Sequence, residues 1–182
     1  RHRPAVLTFH FGLPPERVIE QAYRQNIAVG VTATCVREPQ DIARAGADFV
    51  VAQGWEAGGH QGCFDPSQPD EELPVLALVR SLLGCLSTLI VAVGGMMDGR
   101  DIAEVLAADA TAAQLGTAFL CFDEAGSPHA HREALRDGEK ETVFTSAFSG
   151  RTARGMRNAF INAMVKKSAL AFPQQNTLTS AL

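Results

Sequence analysis

Residues 89–106 read LIVAVGGMMDGRDIAEVL, and the fold follows from this stretch. Leu89 to Val93 is an unbroken apolar run, the pattern of a strand covered on both faces rather than one. Gly94-Gly95 ends the run. Asp98 then supplies a side-chain acceptor for the first amides of a helix reaching Leu106. Strand, glycine turn and capped helix make the leading half of a crossover between parallel strands.

The same unit recurs on both sides. Upstream, Val6 to Phe11, Ile27 to Thr34 and Phe49 to Gln53 read as strands. Pro14-Pro15 opens a helix whose apolar face is Val18, Ile19, Ala22 and Tyr23, since proline is tolerated in a first turn. Glu38 to Ala45 is a second helix, stopped by Gly46, and Pro74 to Leu86 a third. Residues 55–73 read as a long loop. Downstream, Ala112 to Leu115 and Ala118 to Leu120 read as a fifth strand around Gly116-Thr117. Alternating strands and helices predict a parallel sheet in an α/β fold. In such sheets ligands gather at the carboxyl ends of the strands. Those ends carry His10-Phe11-Gly12, Thr32-Ala33-Thr34, Gln53-Gly54, Gly94-Gly95 and Gln114-Leu115-Gly116-Thr117.

After residue 123 the pattern changes. Ser127 to Arg136 and Arg151 to Lys167 read as helices joined through Thr142 to Gly150, a small piece appended near the mouth of the sheet. Pro173 to Leu182 has no assignable structure from sequence.

The chain has 182 residues, enough for one domain with a real core, and a net charge of -4. That charge offers no electrostatic case for nucleic acid or an anionic membrane. The longest uncharged run, Ser81 to Met97, falls short of the roughly 20 apolar residues a spanning helix needs. No signal peptide is expected behind Arg1-His2-Arg3-Pro4, and without an initiator Met the chain reads as if it enters a fold midway. Cys35, Cys63, Cys85 and Cys121 are widely spaced with no CxxC pair, so reduced thiols and a cytoplasmic setting are expected, without zinc or disulfides.

Two strand ends, Gly94-Gly95 and Gly116-Thr117, suit a phosphate, because glycine lets backbone N–H groups approach an anion and helix N-termini favour negative charge. Either pair alone reads as a tight βα turn; both together, with Gln114 at the start of the second, favour the phosphate. Gln53 and Gln114, at strand ends expected to be buried, need partners; a flat heterocycle or neighbouring backbone would serve. His60 lies in Gly58-Gly59-His60-Gln61-Gly62, just past a strand end. Glycines clear space around an imidazole suited to proton transfer near neutral pH, although spacing alone leaves a structural role open. His10 reads as a packing residue. His129 and His131 point apart on a helix and suggest no metal site. Arg151, Arg154 and Arg157 read as a solvated helix edge, with contacts to an anionic ligand as the alternative. Trp55 either stacks on a ring or packs at the rim.

Four stretches in order, VAQGWEAGGHQG, VAVGGMMDGRDIAEVL, AAQLGTAFL and AFSGRTARGMRN, with FHFGLP near the start, resemble the nitronate monooxygenase family, formerly 2-nitropropane dioxygenases. The resemblance implies an FMN-dependent (β/α)8 TIM barrel with a small helical domain, oxidising alkyl nitronates, and in some members nitroalkanes, with O2. It implies FMN contacts from Gln53, Gly58, Gly59, Gly94, Gly95, Gln114, Leu115, Gly116 and Thr117, and His60 as the catalytic residue. His60 would take the α-proton of a nitroalkane, or position and stabilise a nitronate anion. The flavin-dependent enoyl-ACP reductases, which use NAD(P)H, share the GGH and QxGT signals and form the alternative. The fold expected is therefore a partial TIM barrel: residues 1–122 give about five parallel strands of its carboxyl-terminal portion, 123–170 a helical lid subdomain, and 171–182 a tail returning toward the barrel. Five strands do not close an eight-stranded barrel, so an isolated chain is expected to be unstable, to aggregate or to pair with a second copy. A non-catalytic flavin-binding fragment is the reading from a different class. The expected partners are a small nitronate and O2, with no nucleic acid and no membrane.

Overall fold

The computed structural model describes residues 3–138 and 141–180. The chain divides into two compact units, Arg1–Ala57 with Gly62–Leu115, and Gly58–Gln61 with Gly116–Leu182.

In the first unit, strands β1 (Val6–Phe9), β2 (Ala28–Ala33) and β3 (Phe49–Gln53) are separated by helices α1 (Glu16–Arg24) and α2 (Glu38–Arg44). Helix α3 (Val75–Leu83), strand β5 (Leu89–Val93), helix α4 (Gly99–Ala107) and strand β6 (Ala112–Gln114) follow, after the short β4 (Gly59–His60) of the second unit. The five strands pair in parallel in the order β1-β2-β3-β5-β6. They form the predicted α/β half-barrel.

Its core follows from the apolar runs. Val29, Val31, Val50, Ala52 and Ala92 have no solvent exposure, and Ile90 has 1%. Helix α3 buries Val75, Leu78, Val79 and Leu82, a spacing that keeps one helix face on the sheet. Each large side chain hidden this way stabilises the fold by about 1.5–3 kcal/mol. At the register pair Gly30↔Phe49 the ring of Phe49 fills the space above Gly30: a Cβ there would sit 2.2 Å from the ring. Helix α4 begins as read. Asp98 accepts from the Arg100 and Asp101 amides, and the Asp101 carboxylate accepts from the Asp98 amide in return.

The second unit has more strand than the sequence suggests. β4, β7 (Thr142–Thr145) and β8 (Ala153–Met156) form an antiparallel sheet in the order β4-β8-β7. Helices α5 (His129–Asp137), α6 (Ala159–Met164) and α7 (Gln174–Thr179) accompany it. The helix expected over Arg151 to Lys167 is therefore a strand, then a helix that starts only after Asn158, whose side chain accepts from the Ile161 amide at 2.9 Å. Gly155 weakens a helix at this point, while Val143↔Gly155 and Thr145↔Ala153 pair it into the sheet. The three-residue recurrence of arginines is not a helix edge. Arg154 lies in β8 with its guanidinium 4.1 Å from the Phe144 ring centre, and Arg157 pairs with Glu141 at 2.9 Å. Nor do Ala118 to Leu120 extend a strand: Thr117–Phe119 is a 3-10 turn, and Phe119 is exposed.

Candidate functional site

In the first unit, β3 delivers Gln53 to the start of the glycine-rich segment, buried at 6% exposure. Its Oε1 accepts the Gly62 amide at 2.7 Å, so backbone supplies one of the partners that a buried amide needs. Gly62 is tightly enclosed. A Cβ there would come within 2.6 Å of Thr32 Cγ2 and 2.7 Å of His10 Cε1. His10 in turn meets Thr32, Nδ1 to Oγ1, at 3.0 Å. His10 is nevertheless exposed, so it is tied to Thr32 rather than packed in the core.

At the end of β5, Gly94 and Gly95 hold φ of 125° and 67°, conformations that side chains rarely adopt. A Cβ on Gly95 would also approach Glu56 Cβ to 2.9 Å. Glu56 is fixed there because its carboxylate accepts the Val75 amide at the head of α3, at 3.0 Å. The head of α4 is already engaged by the carboxylates of Asp98 and Asp101. An anion at this strand end is left the glycine turn itself rather than the helix terminus. Gln114 is exposed rather than buried, because β6 pairs with β5 on one side and ends the sheet. Leu115 is half-buried beside it.

In the second unit, Gly58 and Thr117 are brought together: a Cβ on Gly58 would sit 2.6 Å from Thr117 Oγ1. Gly59 has φ of 78° and open space around it. Gly116 has neither a positive φ nor a described protein atom within 4 Å of its Cβ position. Gly116 is exposed.

His60 stands on β4, held by β8 through the pairs Gly59↔Arg154 and His60↔Ala153 and by the Gln61 amide on the Thr152 carbonyl at 2.9 Å. Its Nε2 lies 2.7 Å from Ser149 Oγ. Burial pushes its pKa below the usual histidine value, and the charge of Arg151 adds to that. The imidazole is therefore neutral at pH 7 and able to accept a proton. Sequence reading missed Ser149, which is 2% exposed. It lies 89 positions from His60, and the pairing of β4 with β8 helps bring the two together.

Among the described residues no group of histidine, cysteine or carboxylate side chains is placed to hold a metal ion. No helix of the described chain is long and apolar enough to cross a membrane. None of the four cysteines is in a disulfide.

Against known proteins, the nitronate monooxygenase family model matches residues 1–182. The chain belongs to the nitronate monooxygenase family. It is 45% identical over 159 residues to a nitronate monooxygenase of Paraburkholderia phytofirmans, covering 87% of this chain and 43% of the relative. It is 46% identical to that of Pseudomonas aeruginosa, over 86% of this chain and 45% of the relative. A nitroalkane oxidase structure from Streptomyces ansochromogenes superposes with a TM-score of 0.91 at 44% identity, covering 97% of this chain and 52% of that one. FabK from Thermotoga maritima superposes at 0.74 with 30% identity, covering 88% and 49%. The chain thus spans about half the length of the family relatives it matches.

Proposed function

We propose that this family member binds FMN and oxidises alkyl nitronates, and nitroalkanes where the α-proton is accessible, with O2. The observation that carries this is His60, a neutral, half-buried imidazole held between glycines and Ser149 in a chain of this family. FMN, when bound, supplies the electron acceptor and the route to O2. The residues proposed to hold it are Gln53, Gly58, Gly59, Gly94, Gly95, Gln114, Leu115, Gly116 and Thr117. The residues fit the group in one respect: the turn after β5 has positive φ at Gly94 and Gly95, and Gly95 is exposed in it. His60 takes the α-proton of a neutral nitroalkane, or orients a nitronate that arrives already deprotonated. A cytoplasmic setting and association with a second copy belong to the same proposal.

The test is the visible spectrum and intact mass of purified protein, then oxygen consumption with propionate 3-nitronate in the absence of NAD(P)H. Flavin absorbance at about one FMN per chain with nitronate-dependent uptake supports the reading. NADPH oxidation driven by an enoyl thioester would favour a reductase, the reading the FabK likeness keeps in view. Colourless protein without turnover would favour a non-catalytic fragment.

A further inference from the structure

Ser149 has one hydroxyl proton and three close neighbours. His60 Nε2 lies 2.7 Å from its Oγ, the Arg151 carbonyl oxygen 3.1 Å and the Arg151 amide nitrogen 3.2 Å. A carbonyl oxygen only accepts, and an amide N–H only donates. The serine proton therefore goes to the Arg151 carbonyl, and Oγ keeps its lone pairs for the Arg151 amide and for the imidazole. Nε2 must then be the donor.

We propose that Ser149 is a positioning residue that fixes the tautomer of His60, with the ring proton on Nε2 and the lone pair on Nδ1. The setting enforces the arrangement. Ser149 is 2% exposed, so water does not readily replace its partners, and the β4–β8 pairing holds the ring against it. A hydroxyl with both lone pairs and its proton engaged has no freedom to reverse the bond to the imidazole.

The consequence for chemistry rests on His60 being the residue that acts on substrate, as proposed above. A proton leaving the α-carbon of a nitroalkane is then received at Nδ1. The C–H electron pair stays on carbon and spreads into the nitro group. The ring becomes imidazolium, protonated on both nitrogens, and later returns the Nδ1 proton to water. In this proposal Ser149 acts through the imidazole, by setting which nitrogen carries the lone pair.

The measurement is the long-range 15N–1H correlation spectrum of imidazole-labelled protein at a pH where His60 is neutral. A His60→Gln variant assigns its signals among the five histidines. The expected result is a pyrrole-type Nε2 and a pyridine-type Nδ1 for His60, with Ser149→Ala moving both toward tautomer-averaged positions. His10, in the first unit, serves as the folding control. An Nδ1–H tautomer in the unaltered protein would overturn the proposal, as would a folded Ser149→Ala variant with an unchanged spectrum. Should Ser149→Ala not fold, the spectrum of the unaltered protein decides alone. Because the spectrum needs neither flavin nor substrate, an Nε2–H tautomer in protein without nitronate turnover would sink the function and leave this inference standing. Turnover with an Nδ1–H tautomer would do the reverse.

Discussion

Most of what the first unit hides is hydrocarbon, in valines, alanines, leucines and isoleucines, with Thr32, Thr34, Glu38 and Gln53 buried among them. In the second unit the buried side chains include Gln61, Ser149 and Gln175 beside Ala147 and Ile161. Gln175 shows how that unit is held. Its Nε2 donates to the Ala147 carbonyl at 2.7 Å, and its Oε1 accepts the Leu170 amide at 3.0 Å. Thr179 Oγ1 reaches the Phe148 carbonyl nearby. One unit is built mainly on removal of hydrocarbon from water; in the other, directed bonds from side chain to backbone hold a larger share of what is buried. The first mechanism tolerates imprecise geometry more than the second, so the second suits a region that, under the proposed function, aims an imidazole.

This contrast can be broken in four ways. The largest effect is expected from His60→Gln, which should lower nitronate or nitroalkane turnover by about a hundredfold or more while FMN content and melting temperature hold. Loss of flavin in that variant would mean that the imidazole builds the fold. Next, Leu78→Ala removes a side chain with no exposure from the first unit and should cost about 2–5 kcal/mol in denaturant unfolding. A cost well under 1 kcal/mol would deny that this unit relies on apolar packing. Gln175→Ala orphans the Ala147 carbonyl and the Leu170 amide, and about 1–3 kcal/mol is expected from the same measurement. No change there would remove the polar half of the comparison. The smallest effect is in pH. The folded pKa of His60 lies below the unfolded 6.5, so on acidification the unfolded chain binds that proton first. The stability it contributes is intact above about 6.5 and is lost as pH falls from there through the folded value. Melting temperatures measured across that range should fall less steeply in His60→Gln, and parallel profiles would contradict the shift.

The same contrast explains what sequence reveals. Strands β3 and β5 coincide with the runs Phe49 to Gln53 and Leu89 to Val93; β3 is buried along most of its length, whereas β5 alternates, with Ile90 and Ala92 hidden and Leu89 exposed rather than covered on both faces. The α4 cap was legible because Asp98 and Asp101 act within one turn. β8 was not. Its residues, Ala-Arg-Gly-Met, gain their conformation from β7 and β4, and the arginine spacing imitates a helix. His60 was visible through its glycines, but its partner was not, since a serine between Phe148 and Gly150 carries no local mark of the ring that it meets. Gln114 was expected to be buried like Gln53, and the strand order shows that it sits at an edge.

The Phe49 ring lying over Gly30 has an evolutionary reading. Any side chain at 30 collides with the ring, and a smaller residue at 49 first leaves a hole above the glycine. Either change alone is selected against, so the two positions are free to drift only as a couple, and lineages that have repacked this part of the sheet should differ at both or at neither.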